Sequence, residues 1–163
     1  MAGGDDRGRA AASAFDRAVR LLAARPHFRE ELRRKLIQKG HETGEVDEAL
    51  ARLAALGYLD DAALAVAEAE RLRERQGLGR SAVAARLSRK GAGRSAVAAA
   101  EAGDDAAREL ERARETATKW LRGGRSEADA LARHLDRKGY PRHVIFRVLK
   151  ELLPEAEPPG DGD

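Results

Sequence analysis

The 163-residue chain contains no cysteine. A disulfide framework and a thiolate metal site are therefore excluded, and a reducing compartment is favoured. Aromatic residues are scarce: one Trp, two Tyr and three Phe, too few for a row of exposed platforms on which single-stranded bases could stack. Most fall on apolar stripes or beside a helix end, and core is the expected place for nearly all. No segment shows sustained alternation with β-branched residues, which removes the main signal for strands. No stretch approaches the roughly 20 apolar residues of a membrane-spanning helix. The opening MAGGDDRGRAAAS lacks the apolar run of a secretory signal. The expectation is a soluble, cytoplasmic protein.

Catalytic signals are equally thin. His27, His41, His134 and His143 form no H-x-x-x-H or H-E-x-x-H pair, the spacing that puts two imidazoles on one side of a helix for a metal. GLGR (77–80) and RGGR (122–125) lack the Lys-Ser/Thr of a phosphate loop and the strand before a dinucleotide site, and read as turns. The two DDAA stretches place carboxylates side by side, but capping of a helix N-terminus explains both. A binding protein rather than a catalyst is expected.

What is abundant is Ala, Leu, Arg and Glu, the residues of helices. The net charge of +3 is what remains of +7 over residues 1–153 once Glu155, Glu157, Asp161 and Asp163 of the tail are counted. A moderately basic body suits an anionic partner.

Hydrophobic spacing predicts about nine helices. The first runs from Ala14 to Ala24, with Phe15, Val19 and Leu22 on one face, and Arg25-Pro26 ends it. The second covers Phe28 to Lys39 and stops at Gly40. The third covers Gly44 to Leu56, with Val46, Leu50 and Leu53 in a stripe. After GYLDD a helix is expected from Ala62 to Gln76, and after GDD another to Leu121, capped by Asp104 or Asp105 and carrying Leu110, Ala113, Ala117 and Trp120. A short helix from Ser95 to Ala102 offers Val97 among alanines and should be the weakest element, because small side chains bury little apolar area. The last, from Pro141 to Leu153, carries Val144, Ile145, Val148, Leu149 and Leu152.

One phrase organises these elements. RKLIQKG (34–40), ARLSRKG (85–91) and RHLDRKG (133–139) recur at intervals of 51 and 48 residues, which marks a repeat architecture. Eight and four residues before each glycine stand Leu32 and Leu36, Val83 and Leu87, Leu131 and Leu135, fixing the buried side of each middle helix. The expected fold is all-α, an elongated tandem array of three three-helix repeats. Its divisions are a disordered start (1–13), repeats at 14–59, 60–103 and 104–153, and an acidic disordered tail (154–163) that weakens non-specific DNA binding.

On a helical wheel Arg34 lies opposite the Leu32–Leu36 side, with Lys35 beside it. Arg86 and Arg89, then Arg133 and Arg137, hold the matching outward positions, and Arg80 and Arg125 stand before the second and third of these helices. Stacked regularly, they would form a basic stripe for an extended polyanion or an acidic groove. Lys39, Lys90 and Lys138 sit in last turns, where the helix dipole favours a cation.

The ordered set AVRLLAARP, EELRRKLIQKG, ALARLAALGYLDDAALA, GLGRSAVAARLSRKG and LARHLDRKGYPRHVIFRVLKEL resembles the bacterial RecX family, over about residues 14–153. The resemblance implies tandem three-helix repeats that bind the filament of the recombinase RecA on single-stranded DNA and lie along its groove. It also implies modulation, mostly inhibition, of ATP hydrolysis, strand exchange and coprotease activity, with no cofactor. The chain departs from the family's pattern in the alanines after GYLDD, in Phe28 where a small polar cap is common, and in the acidic tail. A sequence-nonspecific DNA-binding protein and a helical adaptor for an acidic protein are the competing readings. No large apolar stripe is left after the three cores are assigned, so a monomer is expected.

Overall fold

The computed structural model describes residues 12–124 and 127–154. Among them every regular element is a helix: α1 Ala14–Ala24, α2 Arg29–Gln38, α3 Thr43–Ala55, α4 Asp61–Gln76, α5 Arg80–Lys90, α6 Arg94–Ala102, α7 Ala106–Leu121, α8 Ala128–Arg137 and α9 Arg142–Leu152. The expected bounds hold to within one or two residues. Pro141 lies just outside α9 as its N-cap. The expected disordered start and acidic tail fall almost wholly outside the described residues, as does Arg125.

The chain divides into two compact units, one up to Asp60 and one from Asp61. In the first, α1, α2 and α3 pack on one another around Leu32, Leu36, Val46, Leu50 and Leu53, with Ala14 and Ala18 where α1 crosses. Phe28 is 1% exposed, so the position before α2 serves the core rather than the cap, and no side chain caps that helix. At the other end of this core Ser13 caps α1 by accepting from the Asp16 N–H, and the Glu45 carboxylate accepts from Ala14 N–H at 2.7 Å. Carboxylates at helix N-termini satisfy orphan donors and complement the dipole.

The second unit holds two triplets, α4–α6 and α7–α9. Val83 and Leu87 on α5, and Leu131 and Leu135 on α8, are buried, so the apolar pair of every middle helix faces a core. Alanine-rich α6 is docked by close approach. Ala65 and Ala69 of α4 and Ala96 and Ala100 of α6 are buried, and these two helices pack more closely than any other pair among the described residues. Short side chains let the axes come together. Arg73 of α4 then reaches the last turn of α6, donating to Ala100 O at 3.0 Å.

Two aromatic positions depart from the core reading. Tyr58 is 64% and Phe146 41% exposed. Tyr58 still ends α3 through its backbone, donating N–H to Leu53 O at 2.9 Å behind Gly57 at φ +78; that bond is the six-to-one closure of a helix C-terminus, which needs no side-chain burial.

Candidate partner-binding face

Each triplet has its middle helix held by one buried pair of apolar side chains, which leaves the opposite side to solvent. Arg34, Arg89, Arg133 and Arg137 are exposed there, and Arg86 is half-buried. Arg34 donates through Nε to Glu30 O at 3.3 Å, and Arg89 to Ala85 O at 3.4 Å, each within its own helix. Arg86 bonds the Gln76 Oε1 amide oxygen. Arg133 and Arg137 make no ion pair among the described residues. These five guanidiniums keep an uncompensated charge.

Two of the other expected contact residues, Lys35 and Arg80, are engaged, and Arg125 lies outside the described residues. Lys35 lies 3.2 Å from Glu31, which also takes Arg25, and His27 Nδ1 lies 3.1 Å from the same carboxylate. Burial works to raise the Glu31 carboxyl, yet hydrogen bonds from Arg25, Lys35 and His27 outweigh it and bring its pKa down to about 2. His27 is itself lowered, chiefly by burial. Arg80 faces Glu109 at 3.6 Å, with Glu109 only 3% exposed. Arg80 and Lys35 are thus paired with carboxylates, and their charge is offset.

Two lysines of the phrase, Lys90 and Lys138, do more than favour a helix dipole. Lys90 bridges to Glu68 of α4 at 2.6 Å. Burial opposes ionisation of Glu68, but Arg71 and Lys90 hold its carboxyl below the ordinary value. Lys138 reaches out of its own triplet: its Nζ donates to Gln76 O, the C-terminal end of α4, at 2.8 Å. The helix end it serves is therefore another helix's. Between Arg86, Arg89 and Lys90 the surface dips in a shallow depression of about 320 Å³.

α5 and α8 meet end to end. α5 has no side-chain N-cap. Three of its orphan donors are satisfied by the third triplet: Gly79 N–H donates to Lys138 O at 2.8 Å, Ser81 N–H to Gly139 O at 3.2 Å, and Arg80 N–H to the buried Glu109 carboxylate at 3.0 Å. Contact is so close that a Cβ on Gly79 would lie 2.5 Å from Gly139 O. Around the joint, the Tyr140 hydroxyl donates to Gly77 O at 2.9 Å and lies 3.3 Å from the Thr116 hydroxyl; burial pushes the phenol pKa up. Beside it, Asp104 takes Arg112 at 2.6 Å and Arg73 at 3.3 Å, and Arg112 Nε donates to Leu78 O at 3.2 Å. Asp105 is the residue that caps α7, accepting from Arg108 N–H at 2.8 Å; Asp104 is 3% exposed and serves this ion cluster instead. Burial depresses the Arg73 guanidinium, against the pull of Asp104.

Among the described residues no group of three or more His, Cys, Asp or Glu is placed to hold a metal ion. No described helix is long and apolar enough to cross a membrane.

Comparison with known proteins fits this arrangement. A family model for the first three-helix domain of RecX matches residues 14–53. The regulatory protein RecX of Chlorobaculum tepidum is 34% identical over 153 residues, covering 91% of this chain and 94% of its own. The chain belongs to the RecX family. RecX of Amycolatopsis mediterranei is 37% identical over 140 residues, covering 83% of this chain and 80% of its own. The crystal structure of RecX from Lactobacillus salivarius superposes with a TM-score of 0.77 at 19% identity, covering 85% of this chain and 94% of that one, a likeness of fold. The RecX repeat therefore supplies the scaffold on which the arginines stand. Reading the sequence alone misses Gln76, Glu109 and the Gly79–Gly139 contact in this RecX chain. Their signal was the glycine on both sides of Leu78 in GLGR, which marks a turn approached by another backbone.

Proposed function

We propose that this RecX-family chain is a regulator that binds the RecA filament on single-stranded DNA and modulates it, mostly by inhibition of ATP hydrolysis, strand exchange and coprotease activity. The observation that carries the reading is the set of five outward arginines, Arg34, Arg86, Arg89, Arg133 and Arg137, that no carboxylate neutralises among the described residues. A guanidinium fork suits carboxylate and phosphate oxygens, so these groups, Arg34 on the first unit and the other four on the second, fit a partner made of acidic protein and nucleic-acid backbone. Lys35, Arg80 and Arg125 are assigned a lesser part. The chain acts as a cytoplasmic monomer, without a cofactor or a reaction of its own.

The deciding experiment is the single-stranded-DNA-dependent ATPase of the recombinase, titrated with this protein. Suppression at amounts well below the recombinase is the expected result. Arg86→Glu with Arg89→Glu should weaken it at least about tenfold at unchanged helix content, since each pair of charges moves from attraction to repulsion. Full inhibition by that variant would refute the assignment of the face. Plain DNA binding is the second reading, favoured by the same guanidiniums; it predicts no ATPase effect and an affinity for single strands falling with salt at a slope of about 0.7 per phosphate engaged.

A further inference from the structure

The contact residues on α5 and α8 belong to different triplets, yet they sit on helices whose ends are fastened to each other. Three consecutive donors at the start of α5, on Gly79, Arg80 and Ser81, are taken up by Lys138 O, the Glu109 carboxylate and Gly139 O. Both glycines lack room for a side chain: a Cβ on Gly139 would lie 2.4 Å from Ala82 N, and one on Gly79 2.7 Å from Tyr140 N. The same turn carries the contact face itself, because Gln76 accepts Arg86 through its amide oxygen and Lys138 through its main-chain oxygen. The orientation of Arg86 and the seating of the third triplet thus share one residue.

We propose that the Gly79–Gly139 joint is a register device: it sets the placement of Arg86 and Arg89 relative to Arg133 and Arg137, so that both pairs engage one extended polyanionic partner at once. Gly79, Gly139 and Gln76 are positioning residues, touching no partner themselves. The inference rests on the basic face being the contact surface. A fixed spacing converts the second contact into an intramolecular event, and this gain disappears when geometry forbids simultaneous engagement. α5 and α8 have 11 and 10 residues, so laid end to end they would span roughly 30 Å. A hinge between them would scatter the far pair over a distance much greater than the reach of one side chain.

The test is a cycle of variants read as the apparent affinity for the recombinase filament, from ATPase suppression. Gly79→Ala forces the joint apart, and faster amide exchange at Ser81 verifies the opening. If Gly79→Ala loses helix content, Tyr140→Phe with Thr116→Val replaces it, since that pair removes the buried hydroxyl ties while keeping shape. The expected result is an affinity about tenfold weaker, with Arg133→Glu and Arg137→Glu then costing at most about twofold more, whereas the same reversal in the intact protein costs about tenfold. An opened joint that leaves affinity unchanged overturns the proposal. So does a tenfold loss in which reversal of the α8 pair still costs as much as before, because the glycines would then matter for folding alone. If reversal of Arg86 and Arg89 in the intact protein has no effect, the basic face itself is refuted, which is a separate outcome.

Discussion

Asp104→Asn tests the polar core of the second unit most directly. Asp104 is 3% exposed and holds two guanidiniums, Arg73 at 3.3 Å and Arg112 at 2.6 Å, whose side chains are 8% and 15% exposed. Removing one partner of a buried pair typically costs about 3–5 kcal/mol, because the other charge stays behind without compensation. Each arginine retains a carbonyl here, Ala100 O for Arg73 and Leu78 O for Arg112, so the lower end, about 3 kcal/mol, is expected. With a urea dependence of roughly 1.5 kcal/mol per M, the midpoint should fall by about 2 M. Trp120, half-buried against the α7–α9 core with His134 at 5.9 Å, provides a fluorescence probe in the third triplet, while circular dichroism follows all helices. The Trp120 transition should move with the variant although Asp104 lies before α7. Replacing Asp104, Arg73 and Arg112 together by Leu and Met should recover most of the loss, since apolar groups need no compensating charge. A midpoint shift under about 0.5 M, or a Trp120 transition that stays in place, would refute the reasoning.

Acid should loosen the first unit through Glu31. Its folded pKa of about 2 lies below the ordinary 4.5, so its stabilisation is fully present above pH 4.5 and is lost as pH falls towards 2; Glu31→Gln should flatten the unfolding midpoint over that window, measured by circular dichroism. Gly40 and Gly139 share a positive φ, at +91° and +85°, but a Cβ meets nothing within 4 Å at Gly40 and meets Ala82 at Gly139. Gly40→Ala should therefore cost only the left-handed penalty of about 1–2 kcal/mol, and Gly139→Ala clearly more, by urea titration. Asp105→Ala should remove about 1 kcal/mol by uncapping α7, visible as faster amide exchange at Arg108 N–H.

Much of this architecture was legible because its signals are local. Leu32 and Leu36, Val83 and Leu87, and Leu131 and Leu135 stand four residues apart, and helical period alone turns each pair inward. The outward arginines follow from the same wheel, without knowledge of neighbours. What stayed hidden involves partners far apart in the chain. Tyr140 to Gly77 spans 63 residues and Lys138 to Gln76 spans 62, and no periodicity reports such a pairing. Lys138 was legible as a last-turn cation; it is the C-cap just beyond α8, and the carbonyl its side chain serves belongs to α4. Asp104 and Asp105 looked interchangeable because both can cap; burial beside Arg73 and Arg112 separates them. Tyr58 was misplaced because a glycine turn predicts the path of the backbone and leaves the side chain undetermined.

The way α5 begins also sets an order of events at the ribosome. Gly79, Arg80 and Ser81 are synthesised with their donors unanswered, and the two carbonyls that take up Gly79 and Ser81, those of Lys138 and Gly139, follow about 60 residues later, which at roughly 5–20 residues per second is a wait of about 3–12 s. During that interval the first turn of the middle helix can close through Val83 N–H on Gly79 O, but the donors ahead of it have only water. The start of α5 thus gains its protein caps only after the third triplet has been made, and a chain that stalls earlier keeps those donors solvated.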